Sequence, residues 1–365
     1  MKEGLQHRAY AVRLYSTKSQ EVILHRWLLL CCNLYNACIE QRRDAWRLVR
    51  KKFAKYDQSN EIASLRRELP EYVEVPSHVL HGLCRHVHHL FEAFLTKRAQ
   101  GKRVNFLRFK SVERFSALTF PDGVNPANVT HNKIKLPKIG WLKWRPWNIK
   151  FHRIKQVSVR RKAGKWVAIV QVECWKPFPM LRGSGAIGID FGISSLVTLS
   201  NGERIGDVSK YKLRDEQLRN RQRQLSLKIK DSHRYKKALL ACQKSYGKLS
   251  RFRKIVLHSI SKDLVRRFDL IAIEDLDMRS MYRKTGVVGS AVRRNLKHAS
   301  LGILATLLTY KAEEAGRKIV KVDPRGTSQE CSECGEIVPK VLGDRWHSCN
   351  SCGLSIDRDH NAARN

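Results

Sequence analysis

The sequence predicts two structured halves: a β module interrupted by helices, and then an α/β domain of the RNase H-like class. Three patterns carry this prediction. Alternating apolar residues flank a helical segment in the first half, three consecutive strand patterns begin near Gly185, and single strands alternate with helices after them. Three strands followed by alternating helices and strands is the order of the RNase H-like fold. A chain of 365 residues is long enough for two or three domains.

The first half opens on residues 9–16, whose apolar and polar residues alternate as in a half-buried strand. The pattern changes near Thr17, which predicts a domain boundary or an insertion there. Apolar residues then recur every three or four positions from Ser19 to about Lys52, and this spacing predicts a long amphipathic helix. A second helix is predicted over about 77–99, with Ser77 as its cap.

Strand patterns return after these helices, at 104–109, 133–144 and 155–174. Within the last of them, Lys162-Ala-Gly-Lys165 separates two alternating runs as a hairpin turn does. We expect a small β-barrel or sheet, to which Tyr10–Tyr15 adds a strand. The two helices would then be an insertion in a β domain.

In the second half, AIGIDFG, SSLVTLSNG and GERIG predict three consecutive strands. Long basic helices follow, then the strand DLIAIEDL, a helix near 290–316 and the strand RKIVKVD. The helical stretch 233–268 has one apolar seam and turns Lys and Arg outward. That outward face is able to follow a phosphate backbone, or it is simply a solvated helix face.

The charge of the chain predicts a polyanionic partner. There are 71 Lys and Arg against 33 Asp and Glu, a net charge of +38, which would make a compact protein repel itself unless a polyanion neutralises it. Nucleic acid fits this requirement. The positive charge runs through nearly every segment instead of one amphipathic helix, so a membrane partner is disfavoured.

The N-terminal segment and the cysteines predict a soluble, intracellular protein. The first ten residues lack the apolar region of a signal peptide, and the longest apolar run, Trp27 to Cys32, is too short to span a bilayer. Six cysteines lie inside apolar patterns, where free cysteine behaves as a small hydrophobic residue: Cys31, Cys32, Cys38, Cys84, Cys174 and Cys242.

Two strand patterns carry an acid where a carboxylate is costly to bury. Asp190 stands in AIGIDFG, and an isolated carboxylate there needs a bound or paired cation. Alternation places Gly188 on the same face, which predicts room for a ligand above the carboxylate. Glu274 repeats the arrangement in LIAIEDL, with Ala272 as its small neighbour.

If the two strands pair in one sheet, their acids converge and require a counter-charge. The hard divalent cations Mg²⁺ or Mn²⁺ would supply it, and a pair of such ions can activate water and stabilise the leaving oxygen of a phosphodiester. For any single acid the alternative is a strand-end ion pair. We assign that alternative to Asp207, Asp269, Asp275, Asp277 and Asp323.

A third acid is expected from the C-terminal SIDRDHNAARN. Asp357 and Asp359 are two residues apart, so on a helix they point about 200° apart and only one can face the metal ions. The residues themselves leave both open, because Asp357 could instead cap the helix with Asp359 in its first turn.

The most specific motif is a pair of CxxC knuckles, each followed by glycine, with fourteen residues between the two CxxC units. Their ligands are Cys331, Cys334, Cys349 and Cys352. Gly335 and Gly353 follow where the chain must turn back under the metal, and the pattern predicts a tetrahedral structural Zn²⁺ site. Four thiolates leave no open position for catalysis, and redox pairs do not come as two matched knuckles. His347 is expected to be a bystander.

A second group of potential ligands lies in the predicted 77–99 helix: His78, His81, Cys84, His86, His88 and His89. Three of them, His81, Cys84 and His88, could share one helix face and bind a metal. A polar face in contact with RNA or solvent is the better explanation.

Together, GIDFG, IEDL, PRGTSQECSECG and CNSCGLSIDRDHNAA, in this order and spacing, resemble the TnpB proteins encoded by bacterial insertion sequences, relatives of the type V CRISPR effector nucleases. The segments RLYSTKSQ, FLRFK, IKLPKIGWLKW and LHSISKDLVRRFDLIAIEDL also resemble that family's layout, so the likeness covers the whole chain.

The resemblance implies an Mg²⁺-dependent, RNA-guided endonuclease whose RuvC-type domain cuts double-stranded DNA beside a short transposon-adjacent motif. Asp190 and Glu274 carry over as the first two catalytic acids. The third is the acid two residues before the Asn of the D-x-N-A-A motif, which here is Asp359 before Asn361. The implied partners are a guide RNA derived from the transposon end and the target duplex.

The resemblance also implies the domain bounds. Residues 1–16 and 105–180 would form a β-barrel wedge domain, and 17–104 a helical recognition lobe. Residues 185–327 and 354–365 would form the RuvC-like nuclease domain, with 328–353 inserted as a zinc ribbon that binds target nucleic acid.

Two alternatives belong to other functional classes. One is a nuclease-inactive, RNA-guided DNA-binding repressor, which would be expected to lose one or more acids, whereas all three are present. The other is a transposase or transposase accessory protein that acts directly on DNA ends. The sequence has no identifiable Tyr or Ser recombinase signature.

Overall fold

The computed structural model describes residues 5–122, 124–148, 150–175, 183, 185–192, 195–275, 300–341 and 344–365. The chain divides into two compact units, Met1–Lys176 and Pro177–Asn365. Each unit has its own hydrophobic core.

The first unit is built on an antiparallel sheet of six strands. They are β1 (Leu5–Tyr15), β2 (Ala117–Phe120), β3 (Lys133–Leu136), β4 (Gly140–Trp144), β5 (Arg153–Lys162) and β6 (Lys165–Trp175). Their order is β2-β5-β6-β1-β4-β3, so β1 pairs with both β4 and β6, and the predicted pairing of Tyr10–Tyr15 is confirmed. Among the described strands, β2 and β3 lie at the two edges of the sheet and do not pair with each other. The sheet is therefore open and does not close into the expected barrel.

Turn geometry explains one hairpin that the sequence predicts and a second that it does not. Between β5 and β6, Ala163 and Gly164 have φ of 50° and 74°, the left-handed pair that a two-residue hairpin requires, at the predicted turn. The interpretation of 133–144 as one continuous strand is wrong. Lys138 and Gly140 have φ of 62° and 80°, and the chain reverses there to form β3 and β4.

The helices of this unit lie between β1 and β2 in the sequence. They are α1 (Lys18–Val49), α2 (Asp57–Asn60), α3 (Ile62–Glu68) and α4 (Ser77–Ala99). The two long helices were predicted, and α1 begins with a capping box in which Thr17 and Gln20 bond each other's backbone N–H. Ser77 is not the cap of α4: Pro76 holds that position, and no side-chain cap bond is made.

By length and composition α1 could cross a membrane, which its longest apolar run did not indicate. Within the apolar window that meets this test, 56% is buried inside the protein. Trp27 and Ile39 lie in the same core cluster as residues of the sheet. Arg42, also buried, donates to the Gln58 side chain at 2.6 Å. Core helices pass the same composition test, and these contacts identify α1 as one.

Residues 104–109 do not form the strand that their alternation predicts. Instead, the Phe106 ring packs edge-on against Phe91 and Phe94 of α4 at 5.9 and 5.1 Å. The Asn36 side chain of α1 holds the backbone N–H of Lys110 at 2.9 Å. Phe106 is therefore packed by α4, and within the described structure this segment pairs with no strand.

The second unit has a five-stranded sheet. Its strands are β7 (Ala186–Asp190), β8 (Ser195–Leu199), β9 (Arg204–Asp207), β10 (Leu270–Glu274) and β11 (Lys318–Val322). The order is β11-β10-β7-β8-β9: β7, β8 and β9 are antiparallel neighbours, and β10 is parallel to β7 and β11. All five strands were predicted, in this succession along the chain.

Helices α5 (Lys212–Ser226), α6 (His233–Arg267) and α7 (Leu301–Ala315) belong to this sheet's unit. Leu257 and Leu264 of α6 and Leu304 of α7 are fully buried in the same cluster as Ile271 of β10. The predicted helix near 290–316 is present from Leu301, and its earlier part lies outside the described residues. The α6 seam is interrupted at Tyr246, which is 55% exposed, although Cys242 before it and Leu249 after it pack against the core.

The chain ends in a small hairpin and a short helix. These are β12 (Trp346–Ser348), β13 (Ser355–Asp357) and α8 (Arg358–Arg364). Residue pairs from Trp346↔Asp357 to Ser348↔Ser355 join the two strands antiparallel. The hairpin leads directly into α8, so the position of one constrains the other.

Candidate functional site

Asp190 and Glu274 end two neighbouring parallel strands, β7 and β10. The register pairs Ile189 with Ile273, so the next residue of each strand is the acid. The carboxyl ends of parallel strands meet at one edge of a sheet, and the structure places both predicted acids there.

Helix α8 brings Asp359 to the same edge. Its charge contributes to the pKa of both Asp190 and Glu274, which places the three carboxylates within electrostatic reach of one another. The Asp359 side chain is 14% exposed. The three acids come from three separated parts of the sequence and converge only in the folded unit.

Asp357 is occupied elsewhere. Its side chain is the N-cap of α8, accepting from the backbone N–H groups of Asp359 at 3.0 Å and His360 at 3.3 Å. Partial burial opposes ionisation, but the hydrogen bond from Arg204, at 2.5 Å, lowers the pKa of Asp357 overall. Of the two arrangements that spacing left open, the structure adopts the one with Asp357 as cap and Asp359 in the first turn.

Burial disfavours the ionised forms of Asp190 and Glu274. Burial, followed by the nearby carboxylates of Glu274 and Asp359, raises the pKa of Asp190 from 3.8 to about 8. Burial also raises the pKa of Glu274, against a hydrogen bond from Thr327 that lowers it. A cation bound among these oxygens would remove both penalties, and clustered carboxylate oxygens are the ligands that Mg²⁺ and Mn²⁺ prefer. The residues present therefore fit a hard divalent cation.

Two guanidinium groups accompany Asp359 and were not predicted. Arg358 approaches Oδ1 with Nη2 at 3.1 Å, and Arg345 approaches Oδ2 with Nη1 at 3.8 Å. The Arg345 side chain is 62% exposed. An exposed guanidinium beside a carboxylate cluster is suited to bind a phosphate oxygen.

The space above Gly188 is filled by protein, which corrects the prediction of a ligand there. A Cβ atom at this position would lie 2.0 Å from the carbonyl oxygen of Ala363 in α8. The glycine therefore allows the α8 backbone to pack against β7. Gly188 thus makes room for the helix that carries Asp359, and not for a ligand.

Three of the other strand-end acids form the ion pairs assigned to them. Asp269 pairs with Arg317, Asp275 with Lys321 at 2.8 Å, and Asp323 with Arg325 at 4.0 Å. Asp207 accepts from the Ser209 backbone at 2.7 Å, and Asp277 lies outside the described residues.

The four cysteines of the two knuckles form one cluster. All four Sγ atoms lie within 4.8 Å of one another, with Cys331 to Cys352 and Cys334 to Cys349 both 3.6 Å apart. At Zn–S bonds of about 2.3 Å a tetrahedral site separates its sulfurs by about 3.8 Å, so the cluster fits zinc. Gly335 and Gly353, with φ of 76° and 74°, make the turns that the motif predicted.

The remaining candidate ligands are not in this group. His347 is fully buried and bonds Lys340 through Nδ1. Cys84 contacts Cys38, with their Sγ atoms 3.9 Å apart. Within the part of the chain that the structure describes, His81, Cys84 and His88 form no metal-binding group.

Two further residues connect the cysteine cluster to the acids. Thr327 Oγ1 donates to Glu274 Oε1 at 3.2 Å. Asn361 donates from Nδ2 to the Glu330 carbonyl oxygen at 2.6 Å and accepts at Oδ1 from the Ser332 N–H at 3.0 Å. Both stand in the motifs PRGTSQECSECG and DRDHNAA, but nothing in those letters revealed the contacts.

Three family models match parts of the chain. One described as "Cas12f1-like, TNB domain" matches residues 302–365, one described as "Probable transposase" matches 170–285, and one described as "Helix-turn-helix domain" matches 1–52. Within the last range the described residues form β1 and the single helix α1.

Related proteins align over nearly the whole chain. A protein of Streptomyces pristinaespiralis named "Putative RNA-guided DNA endonuclease" is 31% identical over 98% of this chain and 88% of its own length. "Putative RNA-guided DNA endonuclease InsQ" of Escherichia coli strain K12 is 26% identical over 98% of this chain and 91% of its own. "TnpB-like protein L770" of Acanthamoeba polyphaga mimivirus is 24% identical over 97% and 71%.

Among solved structures, a Cas12f1–sgRNA–target DNA complex aligns with a TM-score of 0.37 at 16% identity, covering 99% of this chain and 98% of that one.

Proposed function

This chain belongs to the TnpB-like family of insertion-sequence proteins, and from that premise we propose that it is an RNA-guided endonuclease that cleaves double-stranded DNA beside a short transposon-adjacent motif. Its relatives are named as RNA-guided DNA endonucleases. The observation that carries the proposal is the carboxylate site, because a protein that only binds DNA has no need of three converging acids.

Asp190, Glu274 and Asp359 would hold Mg²⁺, or Mn²⁺ in its place. When bound, such ions supply an activated water and stabilise the leaving oxygen of the phosphodiester. Asp190 and Glu274 face the site from the sheet and Asp359 faces it from α8, so the three acids present oxygens from two sides. Arg345, exposed at the edge, would bind a phosphate oxygen of the incoming strand.

Trp346 would contact the same strand. It is 58% exposed, and a hydrogen bond of 2.7 Å from Nε1 to Ser355 Oγ satisfies its polar atom and fixes the ring. It directly follows Arg345 and pairs with Asp357, the cap of α8. An exposed, fixed indole beside a phosphate-binding arginine is a stacking platform for a base of single-stranded DNA.

The knuckle cysteines Cys331, Cys334, Cys349 and Cys352 would hold Zn²⁺ in a closed structural site. The net charge of +38 supports a guide RNA, derived from the transposon end, and a guide–target heteroduplex as partners. One basic groove between α5 and α6, of about 310 Å³, is lined by Arg221, Lys228, Arg234 and Lys237. Phosphates of either nucleic acid would fit this groove.

The same premise supports the domain roles. Residues 1–16 and 105–180 would be the wedge domain, 17–104 the recognition lobe, 185–327 and 354–365 the nuclease domain, and 328–353 the zinc ribbon. The protein would act in the prokaryotic cytoplasm at the nucleoid, where its DNA target lies.

One experiment tests this proposal against its alternatives. The protein is purified from cells carrying the native transposon end, the copurifying RNA is sequenced, and the complex is incubated with matching duplex DNA and Mg²⁺, beside Asp190→Ala. RNA-dependent cleavage that Asp190→Ala abolishes is the expected result. If no RNA copurifies, the RNA-guided mechanism is refuted. If the wild type and Asp190→Ala both bind the target DNA without cutting it, the protein is a repressor. Cleavage without RNA would indicate a transposase.

A further inference from the structure

The Asn361 side chain joins α8 to the first cysteine knuckle. It is fully buried and uses both ends of its amide. Oδ1 accepts from the Ser332 N–H at 3.0 Å, and Nδ2 donates to the Glu330 carbonyl oxygen at 2.6 Å. Ser332 and Glu330 flank Cys331, so the two hydrogen bonds fix the backbone on both sides of this knuckle cysteine. An amide meets this demand for one donor and one acceptor, whereas a carboxylate lacks the donor.

Thr327 joins the same segment to the acids. Its hydroxyl lies 3.2 Å from Glu274 Oε1 and 3.3 Å from the Pro324 carbonyl oxygen. Its own carbonyl oxygen accepts from the side-chain amides of Asn361 at 3.4 Å and Asn365 at 2.8 Å. Thr327 is therefore bonded to one acid directly and to the helix that carries another.

Helix α8 depends on these contacts for its position. It has seven residues, too few to be stable as an isolated helix in water. Asp359 and Asn361 are two residues apart on this short helix. The contacts that fix the position of Asn361 therefore also orient Asp359. The cysteine cluster closes the loop in which Glu330 and Ser332 lie, and a bound metal would hold that loop in one conformation.

From these contacts we propose that the cysteine ribbon is part of the machinery that positions the acids: through Asn361 and Thr327 it holds Glu274 and Asp359 in the geometry that binds the divalent cations. This inference rests on the proposed nuclease function. Asn361 and Thr327 are positioning residues, since each would act through Glu274 or Asp359. The ribbon then serves cation binding independently of any contact it makes with nucleic acid.

The test uses the intact protein–RNA complex of Thr327→Val, Thr327→Ser and Asn361→Asp. Thr96→Val is the matched control, because Thr96 also donates its hydroxyl to a protein oxygen, in the first unit, at 2.9 Å. Two quantities are measured: Mn²⁺ affinity by electron paramagnetic resonance without DNA, and the Mg²⁺ concentration for half-maximal single-turnover cleavage. Zinc content, RNA content and binding to target DNA are measured for each variant.

Thr327→Val and Asn361→Asp are expected to weaken Mn²⁺ affinity and raise the Mg²⁺ requirement at least about tenfold, with zinc, RNA and DNA binding retained. Thr327→Ser and Thr96→Val should stay within about twofold of the wild type. An unchanged cation affinity in Thr327→Val, or weaker DNA binding with unchanged cation affinity, would overturn the inference.

Should Asn361→Asp lose zinc or fail to fold, Thr327→Val decides, because it leaves both knuckles untouched. The Mn²⁺ measurement needs no cleavage. A wild-type complex that binds Mn²⁺ but does not cut DNA refutes the proposed function while the comparison of Thr327→Val with Thr327→Ser still decides the inference.

Discussion

Gly188 of β7 and Ala363 of α8 approach so closely that a side-chain carbon on Gly188 would lie 2.0 Å from the Ala363 carbonyl oxygen. No L side chain fits such a gap. Two residues along β7 stands Asp190, and four residues before Ala363 stands Asp359. The absence of a side chain at Gly188 is thus what allows the first and third acids to meet.

Gly188→Ala should displace α8 and lower cleavage by about 100-fold or more, since a shift of roughly 1 Å in a catalytic group has effects of that order. Overpacking should also destabilise the second unit by about 1 to 3 kcal/mol. Single-turnover cleavage and thermal unfolding measure the two effects. Gly247→Ala on α6 is the control, because nothing beyond its own turns of helix lies within 4 Å of the added carbon. Wild-type cleavage by Gly188→Ala would refute the role of the close contact.

The acids Asp357 and Asp359 form a matched pair two residues apart. Asp359→Asn should reduce cleavage by about 1,000-fold, the scale on which loss of a key electrostatic group acts. Asp357→Asn should leave cleavage within about threefold, because asparagine also caps helices and only the partly exposed ion pair with Arg204 is lost. Cleavage rates at saturating Mg²⁺ measure both, and similar losses in the two variants would contradict the assignment.

When no divalent cation is bound, Asp190 should lower the free energy of unfolding. The unfolded group ionises near pH 3.8 and the folded group near 8, so between these pH values the folded state binds more protons. The free energy of unfolding therefore falls as pH rises through this window, by up to about 1.4 kcal/mol per pH unit. Asp190→Asn removes this dependence and should raise the melting temperature in Mg²⁺-free buffer, more at pH 8 than at pH 5.

Asp275→Asn is the control for that measurement. Asp275 is 62% exposed and pairs with Lys321, so its loss should change stability by less than about 1 kcal/mol at either pH. If Asp190→Asn gave the same gain at both pH values, the burial of an ionised Asp190 would not be its cause.

Protons and divalent cations should compete for Asp190 and Glu274, because burial raises the pKa of both. As the pH falls from about 8 to about 6, the Mg²⁺ concentration for half-maximal cleavage should rise, by up to about tenfold per pH unit for each proton displaced. At saturating Mg²⁺ the dependence should weaken. A Mg²⁺ requirement that is constant across this range would show that these carboxylates do not bind the cation.

Trp346→Ala should weaken binding of single-stranded DNA by about 1 to 3 kcal/mol, the contribution of one stacked base, while Trp346→Phe should retain most of it. Fluorescence anisotropy of a labelled strand measures this effect. Trp175→Ala provides the comparison, since Trp175 is 64% exposed but belongs to the first unit. Equal losses in Trp346→Ala and Trp175→Ala would indicate a general contribution of exposed tryptophans.

Local periodicity in the sequence predicts most of the helices and strands. The long helices α1, α4 and α6 and the five strands of the second unit follow from three- and four-residue or two-residue spacing alone. Predictions failed where a distant partner satisfied a local pattern. Residues 104–109 alternate as a strand does, yet they form no strand in the described structure, and Phe106 packs on α4.

The sequence by itself determined the metal knuckles, the strands that end in Asp190 and Glu274, and a polyanionic partner, because each depends on residue types at short spacing or on total charge. Only the tertiary structure decided that Asp357 caps α8 while Asp359 faces the other acids, that Gly188 receives α8, and that Asn361 and Thr327 join the cysteine cluster to the acids. These contacts join residues from 29 to 175 positions apart, apart from the local cap. Their geometry depends on how whole elements pack, which no local pattern encodes.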